Sequence, residues 1–171
     1  RKFMKKYDYI AFDLDGTLID TMEDIAGACN HALAECGYPV RRLDEYNMLV
    51  GRGIDNLFRG ALPDGHKTDE TVSAMRSHFI PYYNEHKCDF TRPYEGITEL
   101  LDRLYADGLQ FAVASNKYQQ ATAKLVGHFF PNIRFAAVYG QREGVPIKPD
   151  PTIVNDILSE TGISRTHTLY I

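Results

Sequence analysis

Cysteine is scarce in this chain, and long apolar runs, repeats and any excess of positive charge are missing altogether. The cysteines are Cys29, Cys36 and Cys88 alone. An odd number without CxxC spacing argues against a disulfide framework or a thiolate zinc site, and fits a reducing cytoplasm. Cys29 and Cys36 are expected as small packing residues on one face of a helix. No stretch approaches the roughly eighteen continuous apolar residues of a membrane span. The basic cluster Arg1, Lys2, Lys5 and Lys6 is short and has no apolar segment behind it, so it does not read as a signal peptide. A net charge of −4 supplies no basic footprint for nucleic acid. His31, His66, His78, His128 and His167 show no metal-ligand spacing and are read as surface or core residues, while His86, Tyr82 and Tyr83 are read as helix packing. What remains is 171 residues with 44% hydrophobic and 25% charged content, enough for one globular domain or one domain with a modest insertion.

The apolar run Tyr9, Ile10, Ala11, Phe12 reads as a buried parallel strand, ended by Gly16 just past two aspartates. From Asp20 the period becomes helical through Ile25, Ala28, Cys29, Ala32, Leu33 and Cys36, with Asp20 and Glu23 spaced as a capping pair and Gly37 as the stop. Further helices are expected over 54–61, after Gly51-Arg52-Gly53, and through Val72, Met75, Phe79 and Tyr83, with an irregularity at Pro81. Beyond Arg92-Pro93 the texture alternates. An amphipathic helix carries Ile97, Leu100, Leu101, Leu104 and Tyr105; strands are expected at 109–114, 135–138 and 168–171, separated by helices through Leu125 and Ile157. Such alternation predicts an α/β fold with a parallel sheet and right-handed crossovers. The helical stretch 20–91 is too long for a connection and is expected to be a cap over the ligand end of a sheet domain made of 1–19 and 92–171.

Three separated segments converge on one place if the sheet is assembled in this way, the carboxyl ends of the strands being where open α/β sheets place their ligands. Asp13 and Asp15 follow the first strand, Ser115 and Asn116 follow the second, and Lys148 precedes a helix starting near Pro149 or Asp150. Two neighbouring carboxylates without a basic neighbour in sequence call for a cation, and all-oxygen ligation suits Mg²⁺. A hydroxyl, strand-end backbone and an ammonium beside them make a receptacle for a phosphoryl group. Each element also has a plainer reading: Asp15-Gly16 as a hairpin turn, Ser115 as a helix cap, Lys148 as a solvated surface lysine.

Taken together, FDLDGTLIDT, SNK and KPDP resemble the three successive motifs of the haloacid dehalogenase-like phosphotransferases. LVGRGIDNL and TRPYEGITELLDRL resemble the phosphoglycolate phosphatase branch. The resemblance implies a Rossmann-like sheet with helices on both faces and an inserted all-helical cap. It further implies a Mg²⁺-dependent phosphatase acting on a small phosphorylated substrate. Asp13 would be the nucleophile and a metal ligand; Asp15 the acid and base, its carbonyl also a metal ligand; Lys148 a catalytic positive charge. Ser115 and the Asn116 backbone would hold phosphoryl oxygens, Thr17 would serve the turn of the first motif in the substrate loop, and Arg52 would meet an acidic substrate head. A further acidic metal ligand is expected beyond Ile171, so the chain reads as truncated before a fourth motif. The missing sheet edge would favour dimers or aggregates. Within the same superfamily the alternatives are a β-phosphoglucomutase, disfavoured by DGT and SNK, and a pyrophosphatase or nucleotide phosphatase. A non-catalytic fragment or binding protein is the alternative of another class.

Overall fold

The structure, a computed structural model, describes residues 6–171. Arg1, Lys2 and Lys5 of the amino-terminal basic cluster lie outside the described residues. The described residues divide into two compact units, one of residues 6–19 and 93–171, the other of residues 20–92.

The first unit is built on β1 (Tyr9–Phe12), whose four residues are all buried, as a central parallel strand covered on both faces requires. Two-residue strands β2 (Ile19–Asp20) and β3 (Arg92–Pro93) pair as a small separate sheet where the chain leaves and re-enters this unit. Then come α4 (Ile97–Ala106), β4 (Gln110–Tyr118), α5 (Gln119–Phe129), β5 (Ala137–Gln141), α6 (Thr152–Thr161) and β6 (Thr168–Tyr170). The main sheet has the order β5-β4-β1-β6 and is parallel throughout, with Ile10 opposite Phe111 and Leu169. Alternate residues of each strand face opposite sides. Tyr9, Ala112, Ala114 and Ala137 pack against Ile153 and Ile157 of α6. On the other side Phe111 meets Phe12 edge-on at 5.6 Å and Tyr105 of α4 at 6.2 Å between ring centres. Four parallel strands therefore deliver their carboxyl ends to one edge of the unit.

The second unit contains α1 (Met22–Glu35), a 3₁₀ turn at Leu43–Met48, α2 (Ile54–Ala61) and α3 (Asp69–His86). Its core includes Leu33, Phe58, Met75, Phe79 and Tyr83, with Phe79 stacked on Tyr83 at 5.3 Å. Asp24, buried in the first turn of α1, accepts hydrogen bonds from the Phe90 and Thr91 amides and from Thr91 Oγ1, tying the start of the unit to its end. Tyr82 stacks between His31 and His86, each ring centre 4.2 Å away.

Several local expectations are corrected. Among the described residues β1 has only parallel neighbours, so the plainer alternative of an Asp15-Gly16 hairpin, disfavoured from the sequence, is absent. Thr21, not Asp20, stands at the start of α1; Asp20 is taken up by β2, and its carboxylate accepts from the Met22 amide instead of forming a box with Glu23. Cys29 is buried but Cys36 is the half-exposed residue that ends α1, so the two do not share a packed face. α3 runs unbroken through Pro81, anchored on either side by buried Phe79 and Tyr83. On α4 only Leu101 is buried, whereas Leu100 and Tyr105 stay partly exposed. β4 continues past residue 114 through an irregularity in its register with β5, and β5 begins two residues later than its apolar run suggests. Among the described residues no helix is long and apolar enough to cross a membrane.

Candidate active site at the carboxyl edge of the sheet

Asp13 leaves β1 still bound to the sheet, its amide donating to the Ile171 carbonyl at 2.8 Å. The chain then curls. The Leu14 carbonyl accepts from the amides of Thr17, Leu18 and Ile19, and Gly16 supplies the positive φ of 80° that the curl needs. Leu14 and Leu18 are wholly buried, which pins the loop and leaves the carboxylates of Asp13 and Asp15 at its mouth. Thr17 takes part through its amide, in the turn role expected of it.

Asp13 Oδ1 accepts from the Leu14 amide at 2.8 Å and from Lys148 Nζ at 3.0 Å. The side chain is 34% exposed, and among the described residues Oδ2 has no hydrogen-bond partner. Lys148 Nζ also donates to the Ala114 carbonyl at 2.6 Å and to the Tyr170 hydroxyl at 2.9 Å, so its three protons meet three acceptors. This is no solvated surface lysine. α6 starts at Thr152, later than Pro149 or Asp150, so Lys148 sits in the loop ahead of it.

Ser115 and Asn116 lie within the irregular end of β4 and are both buried. Ser115 caps no helix: α5 begins after Tyr118, and Ser115 Oγ accepts from the Lys117 amide at 3.1 Å, a serine bonding its own backbone two residues on. The Asn116 side chain grips the Lys148 backbone from both sides, Nδ2 donating to its carbonyl at 3.1 Å and Oδ1 accepting from its amide at 2.8 Å.

Sequence reasoning missed Lys117, the third residue of SNK. Its ammonium lies 3.2 Å from Asp15 Oδ1, and its side chain is 5% exposed against 13% for Asp15. In an extended segment residues 115 and 117 share a face, and that period was the available signal. Tyr170 was missed as well. The two carboxylates, without a basic neighbour in sequence, gain one each in space: Asp13 is paired with Lys148 and Asp15 with Lys117, and the four formal charges cancel.

Hard oxygen donors at a strand end fit Mg²⁺, which takes few protein ligands and completes its shell with water and substrate oxygens. Among the described residues no cluster of three or more His, Cys, Asp or Glu is placed to hold a metal. Arg52 belongs to the second unit, exposed on the turn before α2, where its carbonyl accepts from Asn56 Nδ2 at 2.8 Å.

Comparison with known proteins agrees with this geometry. The chain is 36% identical over 143 residues to a phosphoglycolate phosphatase of Caulobacter vibrioides, covering 82% of this chain and 60% of that protein. It is 29% identical over 167 residues to one of Aliivibrio fischeri, covering 95% and 74%. The crystal structure of a predicted phosphoglycolate phosphatase from Haemophilus somnus superposes with a TM-score of 0.89 at 27% identity, covering 98% of this chain and 77% of that one. The chain thus spans between about three fifths and three quarters of these relatives' length. The haloacid dehalogenase-like hydrolase family matches residues 10–171, a span that takes in the Asp13–Asp15 loop, the Ser115–Lys117 strand end and Lys148 alike, and it is to this family that the chain belongs.

Proposed function

We propose that the protein is a Mg²⁺-dependent phosphatase that hydrolyses a small phosphoglycolate-like monoester by two displacements at Asp13. The observation that carries the reading is the asymmetry of Asp13: Oδ1 is held by the Leu14 amide and Lys148, while Oδ2 has no hydrogen-bond partner among the described residues. A carboxylate with one oxygen anchored presents the other to an incoming phosphorus in a fixed direction.

In the first displacement Asp13 Oδ2 bonds to phosphorus as the bond to the ester oxygen breaks, and Asp15 gives its proton to the departing alkoxide. In the second, Asp15 takes a proton from water as that oxygen bonds to phosphorus. The bond to Asp13 breaks, phosphate leaves, and Asp15 keeps the proton for the next cycle. One group serving as acid and then base is what a two-step displacement demands. Lys148 fixes Asp13 and offsets charge, while the Ser115 hydroxyl and the Asn116 backbone hold phosphoryl oxygens. Asp13 and the Asp15 carbonyl would hold Mg²⁺, which when bound neutralises the phosphoryl oxygens. Arg52, with its planar fork, is the substrate-head ligand of this reading.

The likeness to phosphoglycolate phosphatases supports phosphoglycolate as the first ester to assay, beside pyrophosphate, a nucleoside monophosphate and a hexose phosphate. Asp13→Asn keeps the shape and removes the nucleophile, so turnover should fall by roughly three orders of magnitude or more. Activity of Asp13→Asn within about tenfold of the parent would overturn the assignment.

A further inference from the structure

We propose that Lys117 is a positioning residue for Asp15, holding the proton-exchanging carboxylate apart from the attacking one; the inference rests on the phosphatase reading above. Lysine is among the residues least often buried, and an ammonium taken out of water is costly unless paired. Lys117 is nevertheless only 5% exposed, with Nζ 3.2 Å from Asp15 Oδ1. An apolar side chain of similar volume would fill this place at no electrostatic cost. Packing alone therefore does not ask for a charge here.

The backbone beneath it is held with equal care. The Lys117 amide donates to Ser115 Oγ at 3.1 Å, and its carbonyl accepts from Thr122 Oγ1 of α5 at 3.1 Å. Gly140 of β5 lies so close that a Cβ there would overlap the Lys117 carbonyl and come within 2.6 Å of Thr122 Oγ1. Gly140 is fixed in turn, its amide donating to Gln119 Oε1 at 2.7 Å. Three elements thus set where the ammonium stands.

The consequence is a division of labour. Asp13 and Asp15 are like charges two residues apart and would repel each other if left to themselves. Lys148, from the loop before α6, holds Asp13 Oδ1, and Lys117, from the end of β4, holds Asp15 Oδ1. Different lysines on different elements keep the two carboxylates in separate roles.

The test compares Lys117→Met, alone and combined with Asp15→Asn, on an alkyl phosphate and on 4-nitrophenyl phosphate. Aryl esters release a leaving group that needs no proton, so they bypass the acid in the first displacement. With Lys117→Met, kcat on the alkyl ester should fall about tenfold to a hundredfold with KM within about threefold. First-turnover release of 4-nitrophenolate should change less than about threefold, and in the Asp15→Asn background Lys117→Met should add less than about twofold. Equal losses on both esters, or losses that multiply with Asp15→Asn, would overturn the proposal and leave Lys117 as packing. If far-UV circular dichroism shows that Lys117→Met does not fold, Lys117→Gln carries the same comparison, since it keeps a polar tip without the charge. A parent protein that cleaves neither ester, or that survives Asp13→Asn, defeats the phosphatase reading itself and this inference with it. With an active parent silenced by Asp13→Asn, the ester comparison bears on Lys117 alone.

Discussion

Asn116 offers a measurable separation between what a strand-end backbone does and what its side chain does. Asn116→Ala keeps the amide and carbonyl that would face a phosphoryl group, and deletes the two-sided grip on Lys148, whose bonds are 2.8 and 3.1 Å long. Asn116 is 8% exposed, so water only partly replaces the lost partner. Two hydrogen bonds at about 1 kcal/mol net each, plus part of the penalty for stranding the Lys148 amide and carbonyl, give a loss of about 2 to 3 kcal/mol. For a chain of this size that corresponds to a Tm lower by about 4 to 12 °C. If about 2 kcal/mol of it is lost from the productive placement of the Lys148 ammonium, kcat/KM falls about thirtyfold. Asn116→Asp should be as damaging despite keeping an acceptor for the Lys148 amide, because it turns a second carboxylate oxygen toward the Lys148 carbonyl. Asn155→Ala is the control: it removes an exposed bond from Arg165 Nη2, and should cost less than about 0.5 kcal/mol. Differential scanning fluorimetry and steady-state kinetics read both effects. An Asn116→Ala protein within about 1 °C and about twofold of the parent would refute the reasoning.

Three other outcomes are expected. Gly140→Ala should lower Tm and cut kcat together, since the new methyl meets the Lys117 carbonyl and Thr122 Oγ1 rather than a yielding side-chain end; a variant with unchanged kcat would show that β4 gives way harmlessly. Burial pushes the Cys29 thiol up from 9.0 to about 11, although the Tyr46 hydroxyl and Arg41 pull it part of the way back. The unfolded thiol therefore ionises first, so this stability is full below pH 9 and is lost as the pH climbs toward about 11. Thermal unfolding between about pH 7.5 and about pH 10.5 should show that decline, shallower in Cys29→Ala, and identical slopes in the two proteins would exclude Cys29 as its source. Arg52→Ala should raise KM for a carboxylate-bearing phosphate ester more than for a neutral one, and an equal change on both would mark Arg52 as a loop residue with no hand in substrate choice.

The alternation of strands and helices, the helix over Ile54–Ala61 and the placement of Asp13 and Asp15 at a strand end were legible in the sequence. They depend on local causes: the period of apolar side chains, glycines that stop helices, and the rule that parallel strands present their carboxyl ends together. Lys148 was legible for the same reason, as the lysine ahead of a helix in such a sheet. Pairings between distant segments were not legible, because nothing in the spacing of SNK and DLD says which carboxylate an ammonium from the next strand will meet. That choice arises only when β1 and β4 lie side by side in the register Phe12 to Val113, with the end of β4 bent by its irregular pairing with β5. The same holds for the Asn116 grip on Lys148 and for Tyr170 at the lysine's third proton. Local chemistry named the carboxylates; the assembled sheet decided which lysine holds each of them, because an ion pair in a half-buried site is settled by distance and by exclusion of water, and both are properties of the tertiary fold.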